Sequence, residues 1–187
     1  MGRIPKARAA VLLIVLAAPA ASARADATAP VAVFYAPETN LERLDLGLLG
    51  GAQTSIDLAA YNLSNHAVIQ ALCRLAQAGV RVRLYLDSEQ LAATPRQALP
   101  SHPLHRLSRA ANVEIRVHGA KAAMHLKSYL VDGRVLRTGS ANFSASGLKR
   151  QDNDLVVIRD AAAIARFGET FERLWARPDN RVWRADR

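Results

Sequence analysis

Between Met124 and Asn142 the chain reads MHLKSYLVDGRVLRTGSAN, a stretch that holds His125, Lys127, Asp132, Gly139, Ser140 and Asn142. An imidazole, an ammonium, a hydroxyl and a primary amide are suited to attack on a phosphodiester. A neutral imidazole nitrogen such as that of His125 can attack phosphorus, which divides one hard displacement into two easier ones through a phosphohistidine. Lys127, Ser140 and Asn142 neutralise and hydrogen-bond the equatorial oxygens, where the negative charge sits. No carboxylate pair stands ready to hold magnesium, so the cation is expected from the protein itself, with neither metal nor cofactor. Each residue alone has ordinary structural uses. All six at fixed spacing arise by chance roughly a few times in a million, given average residue usage.

The elements that position these groups follow from periodicity. Met124–Val131 alternates as a strand, with His125, Lys127 and Tyr129 on one face and Leu126, Ser128 and Leu130 on the other. Asp132-Gly133 is a two-residue hairpin signal. Arg134–Thr138 returns and brings Gly139-Ser140-Ala141-Asn142 back beside His125 and Lys127.

The pattern H-x-K, four residues, D, six residues, G-S-x-N resembles the HKD signature of the phospholipase D superfamily. The stretches GAQTSIDLAAY (Gly51–Tyr61) and GVRVRLYLD (Gly79–Asp87) extend the likeness over about residues 31–180, to the short exported bacterial endonucleases of that superfamily. The resemblance implies a mixed sheet flanked by helices, and a catalytic set of His125, Lys127, Asp132 and Asn142. Asp132, at the hairpin turn, suits a structural or supporting part of that set. Larger members of the superfamily carry two motif copies that build one active site. Short members carry one copy and pair as homodimers.

This chain has one H-x-K only. Because the chemistry needs both a nucleophile and a general acid, a two-fold homodimer is expected, with His125 contributed twice to one cleft. The superfamily also commonly has a glutamate after G-S-x-N that orients the histidine. Here the stretch reads Gln151-Asp152-Asn153-Asp154. Asn153 falls at the glutamate's position, so Asp152 or Asp154 takes the orienting role or the site lacks it.

The 187 residues suffice for one domain with a sizeable core. The first 25 are not expected to belong to it. Arg3, Lys6 and Arg8 precede the apolar run Ala9–Ala18, Pro19 and a series of small residues, the layout of a secretory signal peptide cleaved after Ala23 or Ala25. The run is short for a membrane span, so a periplasmic or secreted protein of residues 26–187 is expected, with no stable span after cleavage. Four of the 25 basic residues lie in that segment, which leaves 21 against 16 acidic, a charge of +5. This suits a polyanionic partner. Lys121, Arg134, Arg137, Lys149 and Arg150 lie nearest the motif and could line a phosphate cleft.

Strands are expected at Val31–Tyr35, Ser55–Tyr61, Val80–Leu86, Val113–Val117 and Asp154–Arg159. Between them, a helix opens on a Thr39/Glu42 capping box, a second on Asn65, a short third covers about Leu104–Ala111, and Asp160 caps the last, through Trp175. Asp87 begins a long irregular link broken by Pro100 and Pro103. The alternation gives an α/β fold with a mixed sheet and helices on both faces. Cys73, alone and in an apolar helical pattern, reads as a buried thiol. His102 and His105 lack a third zinc ligand, His66 and His118 read as surface or capping residues, and Trp175 and Trp183 read as packing.

The leading expectation is therefore an exported, metal-independent phosphodiesterase acting on DNA or RNA. A phospholipase D cleaving phospholipid headgroups is the alternative, with Ser88–Pro103 as the evident membrane-docking segment. A nucleic-acid-binding module without turnover is the third.

Overall fold

The computed structural model describes residues 29–93, 102–119 and 122–184. The expected signal peptide, Lys121 and part of the Ser88–Pro103 link lie outside the described residues. Among the described residues eight strands form one mixed sheet: β1 (Val31–Ala36), β2 (Ser55–Ala60), β3 (Arg81–Leu86), β4 (Val113–Val117), β5 (Lys127–Val131), β6 (Val135–Thr138), β7 (Asn153–Ile158) and β8 (Arg181–Val182). Their order across the sheet is β1-β7-β6-β5-β2-β3-β4-β8. The pairs β2–β3 and β3–β4 are parallel and the remainder antiparallel.

Helices cover both faces. α1 (Leu41–Gly50), α2 (His66–Gln77) and α4 (Pro103–Ser108) pack against one another over one face, and α5 (Ala161–Trp175) lies on the other. Every residue of β5 is buried, as a central strand covered on both sides requires. Tyr129 joins the α1-side core, while Leu130 meets Leu136 and Ile164 on the α5 side. α5 packs mainly on β5 and β6, and Val31, Val33 and Tyr35 are 51%, 43% and 59% exposed on the edge strand β1. Among the described residues no helix is long and apolar enough to cross a membrane.

Local chemistry sets the boundaries. Asn65 Oδ1 accepts from Val68 N and Asp160 Oδ1 from Ala163 N, each satisfying a donor left orphaned at a helix start. At α1 the cap is Asn40, not the expected Thr39: Asn40 Oδ1 takes Arg43 N, and Thr39 N closes a turn onto Tyr35 O. Glu42, released from the capping box, instead binds Asn65 Nδ2 and Lys149 Nζ. The described start of the link after β3 is helical, not irregular as expected. Asp87 caps a short helix, α3 (Ser88–Ala92), through Gln90 N.

Candidate active site

The motif gathers at one end of the sheet. There β2, β3 and β4 end, β6 ends at Thr138, and β7 begins at Asn153. Ligand sites in open α/β sheets belong at this carboxyl end of parallel strands. The strand carrying the motif is shorter than its alternation implies and starts at Lys127. Asp87 Oδ2 accepts Met124 N at 2.9 Å, and Leu126 O accepts Tyr61 N at 2.7 Å. These bonds bring the chain in from outside the ladder and leave His125 exposed at the rim.

Lys127 is 6% exposed, with Nζ 2.8 Å from His125 O and 3.1 Å from His125 Nδ1. Burial, and secondarily the Arg137 guanidinium, hold its ammonium below the usual lysine range. An ammonium donating to Nδ1 places the proton of the neutral imidazole on Nε2. The ring of Tyr61 lies against both groups, 4.3 Å from the His125 ring and 4.8 Å from Lys127 Nζ.

Behind the lysine, Arg137 and Asp45 form an ion pair at 3.0 Å with neither side chain exposed. Arg137 Nη1 also donates to Lys127 O at 2.7 Å and to Ala141 O at 3.2 Å, which ties the two halves of the motif together. Tyr129 Oη donates to Asp45 Oδ1 at 2.9 Å. Burial pushes the Asp45 carboxyl up, and burial with the neighbouring Asp45 drives the Tyr129 phenol well above its ordinary value. Arg137 therefore does not line a phosphate cleft, because all its directed donors are used inside. Lys149 pairs with Glu42 at 3.0 Å, while Arg134 and Arg150 are exposed.

Gly139 has φ +136°, and a Cβ there would stand 2.5 Å from Asp154 O, so only glycine fits. Ser140 Oγ donates to Asn153 Oδ1 at 3.1 Å and accepts Asp154 N at 2.9 Å, while Ser140 N donates to Asp154 Oδ1. The hydroxyl expected on phosphate thus holds the loop, and its proton is spent on Asn153. Asn142 is half-buried, and its Oδ1 is buried without a partner. Asn153, at the expected glutamate's position, gives Nδ2 to Gly147 O, and none of its hydrogen bonds reaches His125. Asp154 holds Ser140 N, and Asp152 is exposed. The hydrogen bonds of Asn153 and Asp154 are thus made to the loop and not to the histidine.

Asp132 stands at the far end of β5 from His125. Its carboxylate accepts from Gln53 N, Thr54 N, Thr54 Oγ1 and Ser55 N, all at 2.8–2.9 Å. Burial alone would raise its pKa, but the amides of Ser55, Gln53 and Thr54 outweigh it and bring the carboxyl down to about 2. Its task is to fix the hairpin turn to the start of β2. Missed by sequence reasoning were Asp45, Arg137 as its partner, Tyr61, Asp87 and Gln90. The Asp87 pair of bonds had a readable clue, since an aspartate before a helical turn is a capping residue.

Beside His125 an open pocket of about 490 Å³ is lined by Met124, Leu126, His118, Arg177 and Asp179 among others. His118, expected at the surface, is 2% exposed and meets Arg177 Nη1 through Nε2 at 3.0 Å, because the C-terminal segment folds over it. His102 and His105 are both 7% exposed; His102 Nδ1 caps α4 through Leu104 N. No group of three or more potential ligands suited to a metal ion occurs among the described residues.

Comparison with known proteins adds to this geometry. The family described as "Cardiolipin synthase, PLD-like domain" matches residues 46–175. The chain is 31% identical over 142 residues to a mitochondrial cardiolipin hydrolase of Xenopus laevis, covering 76% of this chain and 64% of that protein. It thus spans less than two thirds of that relative's length. Among solved structures, Nuc from Salmonella typhimurium, a phospholipase D family member, superposes with a TM-score of 0.69 at 24% identity, over 82% of this chain and 97% of that one. NucT from Helicobacter pylori gives 0.70 at 19% identity, over 82% and 98%. With the motif assembled on the shared fold and the family matched over most of its length, the chain belongs to the phospholipase D-like family.

Proposed function

We propose that this protein is a metal-independent phosphodiesterase that works through a phosphohistidine and acts, after export, as an endonuclease on DNA or RNA. The observation that carries the reading is the exposed His125 ring beside a lysine ammonium that is almost wholly buried, at the rim of the sheet. A buried ammonium acts on a phosphate oxygen with little screening by water. Phosphate oxygens compete with Nδ1 for that ammonium. Once Lys127 turns to the phosphate, the imidazole proton can reside on Nδ1 and the Nε2 lone pair attacks phosphorus. The phosphorus–oxygen bond to the leaving group breaks, and that oxygen takes a proton from the partner subunit's His125, which enters as an imidazolium and becomes neutral. Water then gives a proton to that neutral histidine and attacks phosphorus, and the phosphorus–nitrogen bond breaks, which restores both side chains. Asn142 completes the phosphate contacts.

A homodimer supplies the second histidine that one chain lacks. The basic balance of the chain favours a polyanion over a lone headgroup. The basic and apolar start of the sequence supports export. A second reading, hydrolysis of a phospholipid, is supported by the likeness to proteins named cardiolipin hydrolases. Cleavage of supercoiled plasmid in EDTA by the wild type, and not by His125→Ala, tests the nuclease reading. Release of headgroup from cardiolipin vesicles, with plasmid left intact, would replace it with the second. Neither activity in the wild type would end both.

A further inference from the structure

The group that orients His125 is not the carboxylate expected after the motif, since Asn153 is engaged with Ser140 and Gly147. What does touch the ring is Tyr61, which closes on it at 4.3 Å and presents its face to Lys127 Nζ at 4.8 Å. Tyr61 is itself held. Its hydroxyl accepts Gln90 Nε2 at 3.0 Å, and Gln90 Oε1 accepts Asn62 Nδ2 at 3.2 Å. Asn62 Oδ1 in turn accepts Ser64 Oγ at 2.7 Å. Gln90 sits on α3, whose cap Asp87 uses one carboxylate oxygen for Gln90 N and the other for Met124 N, next to His125. The short helix α3 thus grips the histidine from two sides, through the backbone at Met124 and through the Tyr61 ring.

We propose that Tyr61 is the positioning residue of His125, that its ring face also sustains the charge of Lys127, and that Gln90 sets Tyr61 in place. This rests on the phosphodiesterase reading of the site. The two contributions of Tyr61 are physically separable. The hydroxyl tethers the ring to α3, and the π-face attracts a cation. Lys127 has few other sources of stabilisation. The Arg137 guanidinium on β6 opposes its charge, Asp45 on α1 is committed to Arg137 and Tyr129, and Asp87 to backbone amides. His125 is neutral when it accepts from Nζ. Among the described residues, the Tyr61 face is an electron-rich surface against the ammonium alongside His125 O and Nδ1.

The test uses the full chain with lysine side chains isotopically labelled, so that Lys127 is titrated by NMR independently of turnover. The variants are Tyr61→Phe, Gln90→Met, their double, and Tyr61→Leu. Turnover is followed on bis(4-nitrophenyl) phosphate. Tyr61→Phe keeps the ring face and loses the tether; it should leave the Lys127 titration in place and lower kcat several-fold at unchanged KM. Gln90→Met should reproduce it, and the double should be no worse than either, because both break one bond. Tyr61→Leu keeps apolar bulk without the π-face. It should lower the Lys127 titration by about one pH unit and shift the basic limb of kcat downward equally. The direction follows because the ammonium form is the active one.

An unmoved Lys127 titration in folded Tyr61→Leu overturns the charge role. Additive losses in the Tyr61→Phe/Gln90→Met cycle overturn the tether, and that cycle decides alone if Tyr61→Leu does not fold. Absence of turnover in the wild type would strike the phosphodiesterase reading instead, leaving the titration to judge the placement.

Discussion

Arg137 Nε lies 3.0 Å from Asp45 Oδ1, joining two side chains that are 92 residues apart and wholly sealed from solvent. Removing one member of such a pair leaves an unpaired charge in a medium that cannot solvate it. Asp45→Leu is expected to cost roughly 3–5 kcal/mol. Asp45→Leu/Arg137→Met removes the stranded charge as well and should be the more stable of the two. Urea denaturation of both measures this, and a double variant weaker than Asp45→Leu would refute the account. Activity should fall in both: Asp45→Leu frees Arg137 from its anchor, and the double variant removes the common donor to Lys127 O and Ala141 O.

Asp132 makes acid stability a local property. Its folded pKa, about 2, lies below the ordinary 3.8, so its contribution is present above about pH 4 and disappears as pH falls through 2. Asp132→Ala should lose about 1–2 kcal/mol at neutral pH, the worth of a few exposed amide–carboxylate bonds. The difference from wild type should shrink toward zero near pH 2. A constant gap across that window, measured by denaturation at a series of pH values, would contradict this.

Gly139→Ala forces a side chain onto a backbone at φ +136° and against Asp154 O. A destabilisation of at least about 1 kcal/mol is expected, with displacement of Ser140 and Asn142. Wild-type thermal stability together with full turnover in this variant would show that the loop yields more readily than its packing implies.

Subunit mixing tests the shared site. If both histidines of a dimer serve one cleft, pre-equilibrated mixtures of wild type and His125→Ala should lose activity as the square of the wild-type fraction. Independent sites give a straight line instead, and a straight line would end the proposed division of labour between nucleophile and acid.

The hairpin around Asp132-Gly133 was legible because its signals are local: alternation, a two-residue turn and polar residues at fixed distances. The caps Asn65 and Asp160 were legible for the same reason. Thr39 and Asn40 are both good caps, and the choice between them depends on which backbone leaves β1 in a turn, which a propensity does not encode. The early part of the motif misled, since Met124–Leu126 alternates like a strand but gives its backbone bonds to Asp87 and Tyr61. Least legible was the pair Asp45–Arg137. An aspartate within a helix and an arginine within a strand each look like ordinary surface residues until the fold closes over them. Tyr61 was hidden likewise, as one apolar-compatible residue at a strand end.

The reach of the Asp45–Arg137 contact bears on how the protein comes into being. Of the ties that hold the motif in the sheet, Arg137 to Asp45 spans 92 residues, Tyr129 to Asp45 84, and Asp132 to Thr54 78. The chemistry is written in nineteen consecutive residues, yet a peptide of those residues alone would lack α1, the start of β2 and the Tyr61 loop that hold them. The loop-closure entropy of those distant contacts must be met before any of them is rewarded. On the proposed mechanism, reactivity toward phosphate therefore arrives only with the completed tertiary structure, and the motif in a partly folded chain lacks the contacts that set its geometry.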